Sequence, residues 1–268
     1  MMELLYCATR AALAAGKDIL EVYNDPNSDF GIEKKADNSP LTLADKKAHE
    51  RIMSFLKDTP HPVLSEEGKH MDFATRKEWN SLWIVDPLDG TKEFIKKNGE
   101  FTVNIALVQN GIPVLGVIYV PVKEELYFAE ESLGAFKVTG IAPDLIPQSV
   151  EELVAKANRL PMEQTDKNAF VVVASRSHLT PETQTYIEKM EREHTTVETL
   201  SSGSSIKICL VAEGKADVYP RFAPTMEWDT AAGHAIARAA SKDIWHTDLS
   251  APLNYNKEDL LNPWFIVQ

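Results

Sequence analysis

The chain has 268 residues, of which 44% are hydrophobic and 25% are charged. This length and balance predict a soluble globular protein that buries a sizeable core, as one large domain or two closely joined lobes. Forty acidic residues against 28 basic ones give a net charge of −12, which argues against wrapping of nucleic acid and against binding to an anionic membrane surface.

The two cysteines, Cys7 and Cys209, lie in helical patterns, which favours reduced structural thiols over a disulfide. Residues 1–15 lack the basic and apolar blocks of a signal peptide, and no apolar run approaches the roughly 20 residues of a membrane span. We therefore expect a cytoplasmic protein, with peripheral attachment to the inner membrane left open. No obligate protein partner is indicated, and the sequence does not decide between monomer and dimer.

Hydrophobic periodicity predicts two N-terminal helices, at residues 3–23 and 42–57, with a polar loop at 34–40 between them. Thr42 is expected to cap the second helix, where Asp45 would be favourable in the first turn whatever its function. Short apolar runs, two of them joined by the hairpin signal Asn110-Gly111, predict strands at 62–65, 82–85, 101–109, 113–120, 125–130 and 134–139.

Three prolines interrupt residues 141–165, which predicts a junction between two lobes. Beyond it, we predict strands at 170–174, 217–220, 244–246 and 265–267 and helices at 181–193, 206–213 and 228–240. The whole chain, 1–268, is thus predicted to be one domain, with an α+β lobe at about 1–140 and an α/β lobe at about 165–268.

Two carboxylates, Asp86 and Asp89, directly follow the apolar strand predicted at residues 82–85. Pro87 restricts the backbone of Asp86, and Gly90 turns the chain before a helix predicted from Thr91. Two anions held this close repel each other unless a cation lies between them. Taken alone, however, the segment is also compatible with an ordinary Asp-Pro/Asp-Gly turn.

Three further acids, Asp45, Glu66 and Asp229, also lie at a strand end or a helix start. Oxygen ligands without histidine or cysteine suit Mg²⁺ or Mn²⁺ rather than zinc. The sequence contains no EF-hand loop, no pair of aspartates two residues apart as in the Asp-nucleophile phosphatases, no glycine-rich phosphate loop and no Gly-x-Ser-x-Gly motif. Metal-assisted phosphate hydrolysis is the chemistry that fits.

Three spaced motifs, at residues 66–67 (EE), 83–91 (WIVDPLDGT) and 228–233 (WDTAAG), together resemble the lithium-sensitive, magnesium-dependent phosphatases of the inositol monophosphatase superfamily. The stretches 92–104 and 219–222 resemble its bacterial 3′(2′),5′-bisphosphate nucleotidase branch. The resemblance covers nearly the whole chain. It implies a layered sandwich of alternating helices and sheets, of the sugar-phosphatase type, with two lobes and the metal site between them.

Carried onto this chain, the resemblance implies two or three Mg²⁺ ions, or Mn²⁺, with Asp86 bridging two of them. The implied metal ligands are the side chains of Glu66, Asp86, Asp89 and Asp229 and the carbonyl of Leu88. Asp45 and Thr91 would activate the attacking water, with Asp45 as proton acceptor behind the Thr91 hydroxyl. The implied substrate contacts are Glu66, Leu88, Asp89, Gly90, Thr91, His178, Ser204, Lys207, Arg221 and Asp229. For three of them a structural reading stays open, a turn cap for His178 and surface charges for Lys207 and Arg221.

The implied reaction is hydrolysis of the 3′-phosphate of 3′-phosphoadenosine 5′-phosphate (PAP) to AMP and phosphate, by in-line attack of water. The sulfated analogue would be converted to adenosine 5′-phosphosulfate, so the enzyme would act in sulfur assimilation and nucleotide recycling. An inositol or other sugar-phosphate monoesterase on the same fold is the first alternative. A nucleotide-binding sensor without catalysis is the second, although pure binding would not need Asp45 and Thr91.

Overall fold

The computed structural model describes residues 1–35, 40–69, 71–145, 147–163, 168–175 and 180–268. The helices within these ranges are α1 (Met2–Asn24), α2 (Leu43–Leu56), α3 (Phe73–Arg76), α4 (Thr91–Ile95), α5 (Val150–Lys156), α6 (Pro181–Glu193), α7 (Ile206–Ala212) and α8 (Glu227–Ala239). The strands are β1 (Glu33–Lys34), β2 (Pro40–Leu41), β3 (Val63–Ser65), β4 (Ser81–Asp89), β5 (Thr102–Gln109), β6 (Ile112–Val120), β7 (Glu125–Glu130), β8 (Gly134–Thr139), β9 (Asn158–Arg159), β10 (Phe170–Ser175), β11 (Val197–Ser202), β12 (Tyr219–Arg221), β13 (Ile244–His246) and β14 (Phe265–Val267).

The largest sheet has seven strands in the order β3-β4-β5-β6-β7-β8-β9. Strands β3 and β4 are parallel, and every other neighbouring pair in this sheet is antiparallel. Two smaller sheets, the parallel pair β10-β11 and the antiparallel set β12-β14-β13, are joined by a bridge between Val172 and Val218. A separate antiparallel pair, β1-β2, precedes α2.

Successive side chains of a strand point to opposite faces of the sheet, and in the seven-stranded sheet both sets are largely apolar. Both faces of this sheet are therefore apolar. Val85, Val103 and Ile105 belong to a core formed with α1 and α2. Ile84 and Ala106 belong to a second core formed with α7 and α8. The sheet is therefore covered by a pair of helices on each side.

The smaller sheets continue this layering. Tyr219 and Phe265 pack in the same core as α7 and α8. On the far side of these sheets, Val172 packs with Ile187 and Met190 of α6. The layers thus alternate helix, sheet, helix, sheet, helix, which confirms the predicted layered sandwich.

Helix α8 lies unusually close to the seven-stranded sheet. A Cβ atom added to Gly116 of β6 would lie 2.3 Å from the carbonyl oxygen of Ala232, so only glycine allows this approach. Because Asp229 lies in the first turn of α8, the approach helps to bring that carboxylate toward the end of β4.

Most predicted elements are present with shifts of a few residues, and α2 begins with the expected cap. The Thr42 side chain accepts hydrogen bonds from the N–H groups of Ala44 and Asp45, and the Asp45 side chain accepts one from the Thr42 N–H. The hairpin turn also matches, since Asn110 and Gly111 both have positive φ, 51° and 79°.

Several predictions differ from the structure, and the short elements β1, β2 and α3 were not predicted. Strand β11 was not predicted, because its residues are mostly polar and exposed and gain strand geometry only by pairing with β10. The segment predicted as an irregular junction, 141–165, contains α5 and β9, and β9 pairs with β8. Strand β4 continues beyond residue 85 as far as Asp89. The division into two lobes stays a prediction.

Cys7 and Cys209 are both free thiols, as predicted. Across the described ranges, the structure contains no helix with the length and hydropathy needed to cross a membrane.

Candidate active site

The irregular end of β4 positions two carboxylates. Asp86 pairs in register with Asn104 of β5, but the register shifts before Asp89, which pairs with Thr102. The Leu88 N–H donates a 3.1 Å hydrogen bond to Asp86 Oδ1. Gly90 then has a φ of 93°, in the left-handed region that favours glycine, and α4 begins at the next residue. This backbone fixes the direction of both carboxylates.

A third carboxylate comes from α8. The Met226 N–H donates a 2.9 Å hydrogen bond to Asp229 Oδ2, which holds this side chain at the helix start. Asp86, Asp89 and Asp229 each offer one carboxylate oxygen, and these oxygens all lie within 4.8 Å of one another. We call these three residues the acidic cluster. A set of hard oxygen donors at this spacing fits a divalent cation such as Mg²⁺.

The electrostatics of the acidic cluster favour a cation. Asp86 is 1% exposed, and burial together with the charges of Glu66, Asp89 and Asp229 holds its pKa well above the usual range. Burial and the charges of Asp89 and Glu66 raise the pKa of Asp229 in the same way. These carboxylates repel one another, and a cation would remove that repulsion.

Glu66 lies at the edge of the acidic cluster, directly after β3. Its N–H donates to the carbonyl of Val85, which ties the end of β3 to β4. Its carboxylate accepts a 2.7 Å ion-pair hydrogen bond from Lys35, which also pairs with Glu67. The Glu66 charge acts on Asp86, so the two side chains belong to one electrostatic group.

Thr91 and Asp45 form a hydrogen-bonded pair. The Thr91 hydroxyl lies 3.2 Å from Asp45 Oδ1 and 3.4 Å from the Leu88 carbonyl oxygen. The other oxygen of Asp45 accepts a 2.7 Å hydrogen bond from the Thr42 N–H. Burial raises the pKa of Asp45, although the hydrogen bonds from Thr42 oppose this shift.

A cavity adjoins the acidic cluster and contains two cationic side chains. Lys207 and Arg221 line it together with Ser204, Tyr219 and Glu93. Lys207 is buried, and burial lowers its pKa to about 8 although the nearby Asp89 charge opposes this shift. The cavity thus contains both signs of charge, because Asp89, Glu93 and Asp229 line it together with these two cations.

The structure thus brings together Asp45, Glu66, the segment 86–91 and Asp229, with Ser204, Lys207 and Arg221 at the adjoining cavity. The predicted contact His178 lies outside the described residues. The roles of all these residues stay predictions.

Sequence reasoning missed two polar residues of this site, Ser205 and Asn104. Ser205 bonds to Asp89, and Asn104 bonds to Ser205. A signal for Asn104 was present, because it is the lone amide between Val103 and Ile105 in a buried apolar strand. Ser205 had no such signal, because it ends a run of serines that reads as an ordinary turn.

Comparison with known families identifies the class of protein. Residues 1–263 match the model of the inositol monophosphatase family. The chain belongs to the inositol monophosphatase family, and the fold and the acidic cluster agree with this assignment.

The individual relatives include two CysQ proteins and an IMPase. The chain is 45% identical over 256 residues to the 3′(2′),5′-bisphosphate nucleotidase CysQ of Escherichia coli K12, covering 94% of each protein. A crystal structure of CysQ from Bacteroides thetaiotaomicron superposes with a TM-score of 0.93 at 62% identity, covering all of this chain and 97% of that one. An IMPase from Thermotoga maritima shares the fold at 22% identity, with a TM-score of 0.72 over 99% of this chain and 92% of that one.

Proposed function

We propose that this protein is a Mg²⁺-dependent phosphatase that converts PAP and water to AMP and phosphate. It would act in the same way on the sulfated analogue. The observation that carries the proposal is the convergence of three carboxylates, Asp86 buried and Asp89 and Asp229 partly buried, beside the Thr91–Asp45 pair, because this combines a cation site with a proton acceptor. The bisphosphate nucleotidase relatives support the choice of substrate.

We propose that Asp86, Asp89 and Asp229 hold the Mg²⁺, with Glu66 and the Leu88 carbonyl as further ligands. The raised pKa values of Asp86 and Asp229 support this assignment, because burial and neighbouring carboxylates raise them and a bound cation would offset that repulsion. Mg²⁺ bound there supplies positive charge to the phosphate and lowers the pKa of a coordinated water. Mn²⁺ is expected to substitute, and two or three ions are expected in all.

Thr91 and Asp45 would manage the proton of the attacking water. The threonine hydroxyl donates its own hydrogen to Asp45, so the lone pairs of its oxygen are available to accept a hydrogen from water. Asp45 is the final acceptor, and the pKa raised by burial makes this carboxylate a stronger base. The N–H groups of Gly90 and Thr91 would orient the phosphate as α4 begins.

The two cations of the cavity, which Asp89, Glu93 and Asp229 also line, support a substrate with a second anionic group. Lys207 and Arg221 line this cavity beside Asp89, so one phosphate at the acidic cluster and another at the cavity suit a bisphosphate. A simple sugar monophosphate would place uncharged hydroxyl groups next to these two cations. Ser204 would add a hydroxyl contact, and His178 is retained as a proposed nucleotide contact.

A substrate panel tests the proposal. Phosphate release is measured with PAP, inositol 1-phosphate and fructose 1,6-bisphosphate, each with Mg²⁺ and with a chelator. We expect Mg²⁺-dependent release from PAP, with kcat/KM at least about tenfold above the other two substrates, a difference of about 1.4 kcal/mol. Preference for inositol 1-phosphate would identify a sugar-phosphate monoesterase, and PAP binding without turnover would identify a sensor.

A further inference from the structure

Ser205 connects the carboxylate of Asp89, the backbone of Asp229 and one buried strand. Its N–H and its hydroxyl lie 2.6 Å and 2.8 Å from Oδ2 of Asp89. The same hydroxyl lies 2.7 Å from the backbone carbonyl oxygen of Asp229. It also accepts a 2.9 Å hydrogen bond from the Asn104 side-chain amide. Ser205 is 3% exposed and Asn104 is 1% exposed, so these bonds are shielded from water.

The Ser205 hydroxyl has one hydrogen atom but three polar neighbours, on Asp89, Asp229 and Asn104. Because Asn104 donates to the serine oxygen, the single hydroxyl hydrogen is directed to one of the two acceptors, Asp89 or the Asp229 carbonyl. Oδ2 of Asp89 is already bonded to the Ser205 N–H. One oxygen of Asp89 is therefore occupied by Ser205, and the other carboxylate oxygen remains for a cation.

A capping role does not explain the hydroxyl. Ser205 is the N-cap residue of α7, yet its side chain makes no capping hydrogen bond. Its hydroxyl lies instead within hydrogen-bond distance of the Asp89 carboxylate and the Asp229 backbone carbonyl, which come from β4 and α8. The bonds of this side chain are thus directed at the acidic cluster and not at the helix that it begins.

We propose that Ser205 is a positioning residue that fixes the orientation of Asp89 for cation binding, with Asn104 orienting the serine hydroxyl in turn. This inference rests on the proposed function, because it assumes that the acidic cluster binds a divalent cation. Outer partners of metal-ligating carboxylates typically change metal affinity by about 10–100-fold when they are removed.

The experiment measures Mn²⁺ binding by titration calorimetry with Ser205→Ala, alongside Mg²⁺-dependent turnover of PAP and thermal unfolding in chelator. We expect Mn²⁺ affinity to fall about tenfold and the Mg²⁺ concentration for half-maximal activity to rise by a similar factor. The Tm in chelator should change little. Unchanged Mn²⁺ affinity in the folded variant would overturn the proposal.

A second pair of variants separates positioning from packing. Ser205→Thr and Ser205→Val have nearly the same shape, but only threonine keeps the hydroxyl. We expect Thr to retain the Mn²⁺ affinity and Val to lose it, even where both shift the Tm equally. Equal affinities for Thr and Val would show that the hydroxyl has no positioning role. This comparison applies even where Ser205→Ala folds poorly.

Two controls complete the design. Ser81→Ala removes a buried hydroxyl at the start of β4 that has no hydrogen-bond partner among the described residues, and it should leave the Mn²⁺ affinity unchanged. Asn104→Ala should weaken binding by a smaller factor than Ser205→Ala and add little in the double variant, because both changes interrupt one chain of bonds. Additive losses would remove Asn104 from the proposal.

The outcomes also separate this inference from the proposed function. A wild-type chain that binds Mn²⁺ but releases no phosphate from PAP would reject the proposed function, while the Ser205 variants would still test positioning. A wild-type chain that hydrolyses PAP with a metal affinity indifferent to Ser205 would reject only the positioning role.

Discussion

Two groups of buried carboxylates in this protein have opposite electrostatics. Glu213, at the end of α7, is fully buried, and Asp86, on β4, is buried to nearly the same degree. The surroundings of Glu213 provide positive charge and hydrogen-bond donors, whereas those of Asp86 provide further negative charge. Two equally buried carboxylates therefore have pKa values shifted in opposite directions, because the charges around them differ.

The negative charge of Glu213 is balanced by neighbouring positive charges and a hydrogen-bond donor. Lys137 lies 2.9 Å from one carboxylate oxygen of Glu213, Lys215 lies 2.7 Å from the other, and Tyr127 donates a further hydrogen bond. Burial disfavours the charged form of Glu213, but these partners outweigh it and hold its pKa below the usual value. Lys137 also pairs with Glu125 on β7, so the group ties α7 to the seven-stranded sheet.

The acidic cluster has no comparable balance among the described residues. Lys35 pairs with Glu66 and Glu67, and Lys207 acts on Asp89 from the cavity, but the pKa values of Asp86, Asp89 and Asp229 all remain raised. Unrelieved repulsion of this kind is a cost to folding that a structural role would not explain. It is the signature expected of a cation site.

The largest expected effect comes from Asp89→Asn. Replacing this carboxylate removes a proposed metal ligand, so turnover of PAP at saturating Mg²⁺ should fall at least about 1000-fold, or about 4 kcal/mol. The fold should persist, because the change also removes repulsion. Steady-state rates and circular dichroism measure the two effects. Retained activity at saturating Mg²⁺ would contradict the ligand assignment.

Replacing Glu213 should lower stability and leave activity intact, which is the opposite of the effect expected at Asp89. Glu213→Ala removes the fully buried partner of Lys137 and leaves it only the partly exposed Glu125, so the free energy of unfolding should fall by about 3 kcal/mol. Activity per folded molecule should be retained. Lys215→Ala is the control, and because Lys215 is half exposed it should cost less than about 1 kcal/mol. Chemical denaturation measures both, and a stable but inactive Glu213→Ala would contradict the distinction.

Cation binding should stabilise only through the acidic cluster. At a Mg²⁺ concentration of about 100 times its dissociation constant, one bound ion should add about 2.7 kcal/mol to the free energy of unfolding. This gain should vanish in Asp89→Asn and persist in Glu213→Ala. Differential scanning calorimetry with and without Mg²⁺ makes the comparison. An equal gain in all three proteins would place the stabilising ion elsewhere.

Lys207, which lines the cavity, should make the KM for PAP depend on pH. Because the pKa of Lys207 is lowered to about 8, the lysine loses most of its charge as the pH rises through this value. The KM for PAP should then rise about tenfold between about pH 7 and about pH 9. Lys207→Met should have a high KM at every pH and lack this rise. A flat wild-type profile would remove Lys207 from the anion site.

The smallest expected effects are changes in the free energy of unfolding with pH, measured in the presence of a chelator. The pKa of Asp86 is raised on folding, so its favourable contribution to stability is present at low pH and is lost as the pH rises through the folded pKa. Asp86→Asn should therefore gain stability relative to wild type as the pH rises. The pKa of Glu213 is lowered, so its contribution is lost as the pH falls through the folded pKa. Denaturation curves at several pH values test both signs.

The sequence predicted much of this site because several of its residues belong to local motifs. Asp86, Asp89 and Thr91 lie within six residues, where Pro87 and Gly90 restrict the backbone. Thr42 and Asp45 formed the predicted helix cap, since capping depends on residues three apart. Strand β11 was missed because its geometry comes from pairing with β10 and not from its own side chains.

What the sequence determined by itself was the local chemistry: acids at strand and helix ends, the cap of α2, and continuous apolar strands that require cover on both faces. Only the tertiary structure decided which of these acids share one space. Asp229 reaches Asp86 because Gly116 lets α8 approach the sheet, and Ser205 reaches Asp89 across more than a hundred residues of chain. Contacts of that range depend on packing, so the balance of Glu213 and the repulsion around Asp86 become visible only in the folded protein.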